Sequence, residues 1–254
     1  MKMTLTCDPR DNRILYALRQ VEFELLEPHL ELTTMSRAEV LFEAHDKLQY
    51  IYFPITATAS LLCSLEDGTT VEVAMVGSEG VLGVSALMGS DVALTQAIIN
   101  IPGYCYRASI KSLHGILSRS GGRRAGSLQK LILRYAQTLF IQMAQATACN
   151  RRHALEQQLC YWLLSNFDRG RSDSLSMTQE SIAYILGVRR ESITEVAKRL
   201  QEAGIIEYYR GHIKLKSRIK LETAACECYG IMKEELVRLA TDLQVKLIAD
   251  LQVA

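Results

Sequence analysis

The segment from Met177 to Leu215 constrains the fold more than any other part of the chain. Thr178 suits a helix N-cap, because its hydroxyl can accept one of the unpaired amide protons of a first turn. The short helix that follows puts Ile182, Ala183, Ile185 and Leu186 on one side and stops at Gly187, which can take the left-handed conformation of a tight helix-helix turn. Val188 packs in the elbow. A second helix, from about Arg189 to Ala203, gathers Ile193, Val196, Ala197 and Leu200 in a narrow arc and stops at Gly204. At about 100° per residue, Glu191, Thr194, Glu195, Lys198 and Glu202 fall on the opposite side. A polar helix face after a glycine-centred turn is the arrangement that lays a recognition helix in a DNA major groove. Ile205-Ile206 through Tyr209, the turn Arg210-Gly211-His212, and Ile213 through Leu215 then read as a small hairpin, a wing. Arg210, Lys214, Lys216, Arg218 and Lys220 decorate the wing and its exit. About half of them are expected to meet phosphates and the rest to be solvated surface charge.

Charge distribution agrees with this reading. The whole chain of 254 residues carries a net charge of +1, yet residues 151–220 hold 13 Lys+Arg against 8 Asp+Glu, a net of +5, and the remainder 16 against 20, a net of −4. A basic module on an acidic carrier points to nucleic acid. The length predicts two domains, and 48% hydrophobic with 22% charged residues is the balance of a globular protein. No apolar run approaches the roughly 18 to 20 residues needed to cross a bilayer, and Met1 to Arg13 lacks the apolar core of a signal peptide, so a cytoplasmic protein is expected. In that reducing setting the seven cysteines read as thiols, mostly buried and inert.

Upstream, residues 40 to 110 alternate short β-branched and aromatic runs with turn signals, among them Tyr50-Ile51-Tyr52-Phe53, Ala59-Ser60-Leu61-Leu62 and Thr70-Val71-Glu72-Val73. Asp67-Gly68 marks a tight hairpin between two of them. An antiparallel barrel or roll is predicted. The Gly- and Arg-rich stretch Ser118 to Ser127 turns at the foot of a long helix. There Leu128, Ile132, Tyr135, Leu139, Met143 and Ala146 step by three or four residues, with Leu131, Leu133, Phe140 and Ile141 widening the stripe. That surface suits a coiled-coil-like dimer seam through Leu128, Ile132, Tyr135, Leu139 and Met143; periodicity alone fits a buried helix of a monomer equally well. A further amphipathic helix carries Leu155, Leu159, Trp162, Leu163 and Phe167 and ends in a polar loop, Asp168 to Ser176. The fold class is thus α+β. Its expected parts are a β-roll sensor over 1–123, a dimerisation helix over 124–149, a winged helix-turn-helix over 150–220 and a helical extension over 221–254.

The run Met177 to Ile193, continuing to Leu200 and Gly204-Ile205-Ile206, resembles the Crp/Fnr family of bacterial transcription regulators without a gap. Leu41-Phe42-Glu43, Ile51-Tyr52-Phe53-Pro54, Asp67-Gly68 and Val76-Gly77-Ser78-Glu79-Gly80 are similar to that family's effector domain, so the resemblance covers most of the chain. It implies a homodimer on a pseudo-palindromic operator, with double-stranded DNA as partner and RNA polymerase as a further candidate. The family's base-reading Arg-Glu pair falls on Arg190 and Glu191; Arg suits guanine, and a carboxylate accepts from cytosine N4. Thr178, Gln179, Arg189, Thr194, Lys198, Arg210 and His212 complete the expected DNA-facing set. Four residues after the Glu the family commonly has a second base-reading Arg. Here stands Glu195, which cannot pair with guanine, so the family's usual operator is not assumed; Arg189 or Lys198 is left open as compensation.

Cyclic-nucleotide members of the family hold the phosphate with a Gly-Glu turn and an Arg about a dozen residues later. Gly77, Ser78, Glu79, Gly80 and Val81 preserve a glycine-rich turn able to present amides to an anion. However, Leu87 to Pro102 contains no Arg or Lys; Ala93-Leu94-Thr95-Gln96-Ala97 stands where the cation belongs, and Gln96 joins the candidate pocket. Burying a phosphate without a cation is unfavourable, so cyclic-AMP independence or a different small effector is expected. Only Cys7 lies in the first sixty residues, which argues against the family's iron-sulfur cluster. Cys226 and Cys228 form a Cys-x-Cys pair that alone lacks the further ligands of a tetrahedral metal site, and packing is the expected role. His114, His153 and His212 read as surface or capping residues. No cofactor or metal is therefore expected.

An enzyme finds no support. Gly83-Val84-Ser85-Ala86-Leu87 lacks the last Gly of a nucleophile elbow, and Gly121 with Gly126-Ser127 imitates a phosphate loop without its Lys. The rival class is a sensor or protein-interaction module that does not bind DNA, to which Glu191, Glu195 and Glu202 on the helix face lend slight support. At the end of the chain Leu236, Leu239, Ala240, Leu243, Leu247 and Leu251 recur at helical spacing. They suggest a helix packed on a partner subunit, on the sensor domain or on another protein.

Overall fold

A computed structural model describes residues 7–119 and 126–244. Most of the Gly- and Arg-rich stretch Ser118 to Ser127, together with Leu247 and Leu251, lies outside these described residues.

Two short helices, α1 (Arg13–Tyr16) and α2 (Gln20–Leu26), open the chain. Helix α1 is pinned by Asn12, a buried residue whose amide donates to Pro54 O at 3.0 Å and Gly80 O at 2.8 Å while its oxygen caps the helix. Seven strands follow: β1 (Glu31–Met35), β2 (Val40–Phe42), β3 (Tyr50–Pro54), β4 (Thr58–Ser64), β5 (Thr70–Val76), β6 (Gln96–Ile101) and β7 (Gly103–Ser109). They form two antiparallel sheets, in the orders β1-β7-β3 and β2-β6-β4-β5, the predicted roll. The β4-β5 hairpin turns where expected, with Gly68 at φ +81° and Asp67 accepting from the Thr69 amide. Inward-facing Ile51, Phe53, Ala59, Leu61, Val76 and Ile99 build the roll's core.

After α3 (Ile110–Arg119) the long helix α4 runs from Gly126 to Arg152. Leu128, Ile132, Tyr135 and Leu139 are buried in the roll's core, and Met143 packs half-buried against it. The side of α4 expected to be the dimer seam is thus consumed within the chain. Leu133 and Phe140, at 53% and 61% exposure, mark the face left open. The C-terminal extension adds to this core: α8 (Arg218–Ala224) leads to α9 (Cys228–Asp242), which lies along α4. There Leu239 and Leu243 enter the same core, and Arg134 bridges Glu235 at 2.9 Å and Asp242 at 2.5 Å. Of the three sites left open for the extension, it packs on the roll and α4 of its own chain.

Helix α5 (Leu155–Gly170) enters the C-terminal module, followed by β8 (Ser174–Ser176), α6 (Gln179–Leu186), α7 (Arg190–Glu202), β9 (Ile206–Tyr209) and β10 (His212–Leu215). The stretch expected to be a polar loop, Asp168 to Ser176, instead continues α5 and then adds β8 to the wing sheet, in the order β8-β10-β9. A single buried residue, Leu175, between two serines is too short a pattern to announce a strand. The module's core collects Leu159, Trp162, Leu163, Ile182, Ile193, Leu200 and Ile213, and Leu62 and Met75 of the roll join it. Among the described residues no helix is long and apolar enough to cross a membrane.

Candidate nucleic-acid interface

The helix-turn-helix forms as its residues dictate. Thr178 caps α6, its hydroxyl accepting from the Ser181 amide at 3.1 Å, and Gly187 closes the helix at φ +68°. Ile193, Val196, Ala197 and Leu200 bury one side of α7, leaving Arg189, Arg190, Glu191, Thr194, Glu195 and Lys198 exposed. The wing turns through Arg210 and Gly211, at φ +48° and +79°, the two left-handed residues of a tight hairpin. This brings Thr178, Gln179, Glu180, Arg190, Tyr208, Arg210 and Gly211 around one open concavity between the helix pair and the wing tip. Gln179 accepts from the Thr194 hydroxyl at 2.7 Å, which fixes α6 across the start of α7. Arg210 lies over the Tyr209 ring, and His212 Nδ1 meets the Ser176 hydroxyl at 2.8 Å.

Electrostatics sort the cations. Arg190 is 63% exposed and approaches Glu180 only at 3.9 Å, so its guanidinium stays available. Lys214 is exposed, and Arg189 stands at the N-cap of α7. Other basic residues are engaged. Arg218 is the clearest correction: it bonds Asp168 at 2.6 Å, Glu222 at 2.9 Å and the Tyr229 hydroxyl at 2.8 Å, and so braces α8 against α5. Lys220 donates to Ala203 O at 3.0 Å, and Lys216 pairs with Glu207. Glu195 does not stand alone on the exposed face of α7. Arg199 bonds it at 2.9 Å and also reaches Glu156 of α5 at 2.8 Å, so the negative charge is offset one helical turn away.

The glycine-rich turn of the roll is filled by the protein itself. Glu79 is buried, and its Oε1 accepts from Arg169 Nε of α5 at 2.7 Å and from the Gly77 amide at 3.2 Å. Burial is the largest single influence and works against ionisation of Glu79, but the charges of Arg169 and Arg13 and the hydrogen bonds to the carboxylate together outweigh it and hold the carboxyl below the usual range. Gly80 lies so close to Tyr135 that an added Cβ would fall 2.2 Å from its hydroxyl oxygen. Gln96 is elsewhere: it donates to Glu43 at 2.8 Å and accepts from the Tyr184 hydroxyl of α6 at 3.2 Å. The structure therefore groups Gly77 to Val81 without Gln96. Beside the Glu79–Arg169 pair a cleft opens between roll and α9, lined by Arg13, Asp168, Arg171 and Lys233.

Sequence reasoning missed the docking of the two modules. The Thr70 hydroxyl donates to Tyr184 O, and Gly187 presses on Thr70 O so closely that a Cβ there would lie 2.3 Å away. Glu72 of β5 receives hydrogen bonds from Ser60 and, at 3.3 Å, from Trp162 Nε1. A carboxylate in the middle of a strand, facing the chain's one tryptophan 90 residues on, has no local signature.

Residues 157–224 match the Crp-like helix-turn-helix domain. Among solved structures, FixK2 from Bradyrhizobium japonicum shares 16% identity over 78% of this chain and 98% of its own, with a TM-score of 0.63. The c-di-GMP-responsive regulator CLP of Xanthomonas campestris shares 15% over 78% and 100%, also at 0.63. A CRP-family transcriptional regulator of Thermus thermophilus shares 17% over 76% and 96%, at 0.62. No curated protein sequence matches the chain.

Proposed function

We propose that this chain, which carries a Crp-like helix-turn-helix domain on the fold of the Crp/Fnr regulators, is a sequence-specific DNA-binding transcription regulator of the cytoplasm and not an enzyme. One observation carries the reading: the N-terminal half of α7 is open to solvent beside the wing tip, with Arg190 and Arg210 converging on one concavity. Arg190 and Glu191 read base edges, while Arg210 and Lys214 hold phosphates. Glu195, held by Arg199, alters the operator and leaves binding intact. The regulator works as a homodimer whose recognition helices enter successive major grooves, joined along the exposed α4 face that bears Leu133 and Phe140. Cyclic AMP is not its switch: the turn's carboxylate is bound to Arg169, Gly80 abuts Tyr135, and the β5-β6 connection brings no cation.

Selection of genomic fragments by the purified protein, without added effector and at near-physiological salt, tests this. An enriched inverted repeat is expected. Affinity should fall steeply with salt, and Arg190→Ala should cost about 1 to 3 kcal/mol and relax one base pair. Absence of enrichment, or binding to a protein partner that ignores salt, would refute the reading.

A further inference from the structure

The last turn of α4 and the link between α8 and α9 meet at four side chains. Cys149 and His153, one helical turn apart, face Cys226 and Cys228 across the gap. Their candidate ligand atoms all lie within 4.8 Å of one another. Cys149 Sγ is 3.6 Å from Cys226 Sγ, and Cys228 Sγ is 3.4 Å from His153 Nδ1. The three cysteines are 2%, 5% and 0% exposed, and the partly buried Tyr161 packs against them. The expectation that Cys226 and Cys228 lack further ligands is overturned by this meeting, and so is the surface reading of His153.

We infer that Cys149, His153, Cys226 and Cys228 form a closed Cys₃His site for a single zinc-class divalent ion, which ties the end of the long helix to the exit of the winged helix. The spacing fits. Zn–S bonds of about 2.3 Å and Zn–N bonds of about 2.0 Å in a tetrahedron put sulfurs about 3.8 Å apart and sulfur and nitrogen about 3.6 Å apart. The two measured separations fall within about 0.2 Å of these values. A disulfide does not fit, since bonded sulfurs stand about 2.0 Å apart. An iron-sulfur cluster, which interposes its own iron and sulfide between the thiolates, needs a wider cage. Three soft sulfurs and an imidazole exclude calcium and magnesium, and four protein ligands leave no open position for catalysis.

Surrounding groups support the ligands in the manner of a built metal site. His153 presents Nδ1 to the thiols while its Nε2 lies 3.2 Å from the Glu227 carboxylate, a pairing that fixes the tautomer with Nδ1 unprotonated and aimed at the ion. Gln145 Nε2 donates to Cys228 Sγ at 3.0 Å, which steadies a thiolate. Binding converts three thiols to thiolates, releases three protons to solvent and leaves the site with one net negative charge. Because α5 departs just after His153 and α8 follows the wing, a metal bond here fixes the recognition module relative to α4.

The test uses the full chain, reduced, stripped by chelator and titrated with Co²⁺. One ion per chain is expected, with the thiolate charge-transfer absorption and intense visible bands of a tetrahedral site, bleached by one equivalent of Zn²⁺. Cys228→Ser and His153→Ala should weaken Co²⁺ binding by 100-fold or more, Glu227→Ala by about tenfold, and Cys63→Ser, on β4, not at all. Since the ligand variants could fail to fold, alkylation of the native protein gives a second readout: Zn²⁺ should protect Cys149, Cys226 and Cys228 while leaving Cys63 reactive. An octahedral Co²⁺ spectrum, unchanged Co²⁺ affinity with an undiminished thiolate band in folded Cys228→Ser, or unprotected alkylation of the three cysteines would each overturn the proposal.

Discussion

Replacing Arg169 isolates the energetics of the contact between the roll and the helix-turn-helix module. Its guanidinium and the Glu79 carboxylate are each only 8% exposed and lie 2.7 Å apart, and Arg169 also donates to Ser165 O at 3.2 Å and Met75 O at 3.4 Å. Removing one member of a buried pair strands the other, a loss of about 3 to 5 kcal/mol. Protonation limits the damage: holding a carboxyl neutral at pH 7 costs about 3 kcal/mol from an ordinary value near 4.5, and the lost carbonyl contacts add about 1 kcal/mol. Arg169→Met should therefore lose about 4 kcal/mol at pH 7, and Arg169→Met with Glu79→Gln should recover most of it. The pH dependence should change sign as well. In the parent the depressed Glu79 contributes stability that is present above pH 4.5 and lost as pH falls through its lower folded value. In Arg169→Met the same carboxyl is raised, so stability should fall as pH climbs above 4.5. Urea unfolding followed by the fluorescence of Trp162, the only tryptophan and a neighbour on α5, reports both effects. A loss under about 1 kcal/mol, or a double variant no better than the single one, would refute the claim that this pair is a dry, obligate contact.

Three further outcomes are expected. Glu72 is pushed up to about 7 by burial, against the hydrogen bonds from Ser60 and Trp162. The folded protein therefore keeps this proton longer than the unfolded chain, and stability should decline between about pH 4.5 and 7 and level off above. Glu72→Gln should remove that decline and gain on the order of 1 to 3 kcal/mol at pH 8, read by thermal melts across pH. Gly187→Ala forces an L-residue to positive φ at about 1 to 2 kcal/mol and drives a methyl into Thr70 O, so β5 amides should exchange faster in hydrogen-exchange mass spectrometry. Phe140→Glu should convert dimers to monomers in sedimentation with little change in melting temperature, because the side chain is mostly exposed within the chain; an unchanged sedimentation coefficient would move the seam elsewhere.

What the sequence made legible is what local chemistry encodes. The cap at Thr178, the left-handed Gly187 and the four apolar residues of α7 each act within a turn or two of themselves, and all stand where expected. The Asp67-Gly68 hairpin does the same for the roll. Long-range pairing has no such imprint. Tyr135 looked like a seam residue because its spacing is helical, but spacing does not tell whether a stripe meets a partner or its own roll, and here the side chain is buried against Gly80 of the roll. Arg169 lies in the last turn of α5, and its partner Glu79 lies 90 residues upstream, so nothing local in the sequence joins the two. Cys149 and His153 lie more than seventy residues from Cys226 and Cys228, so neither half of that cluster announces itself alone.

Leu62 and Met75 belong by sequence to the roll, yet they sit in the interior of the helix-turn-helix module. Any rotation that frees α6 and α7 must wet these two side chains, and wetting apolar surface raises the heat capacity. The balance between docked and released forms is then curved in temperature, and its apolar part holds less firmly in the cold. A seam made this way gives the docking of the two modules a built-in thermal response before any ligand is considered.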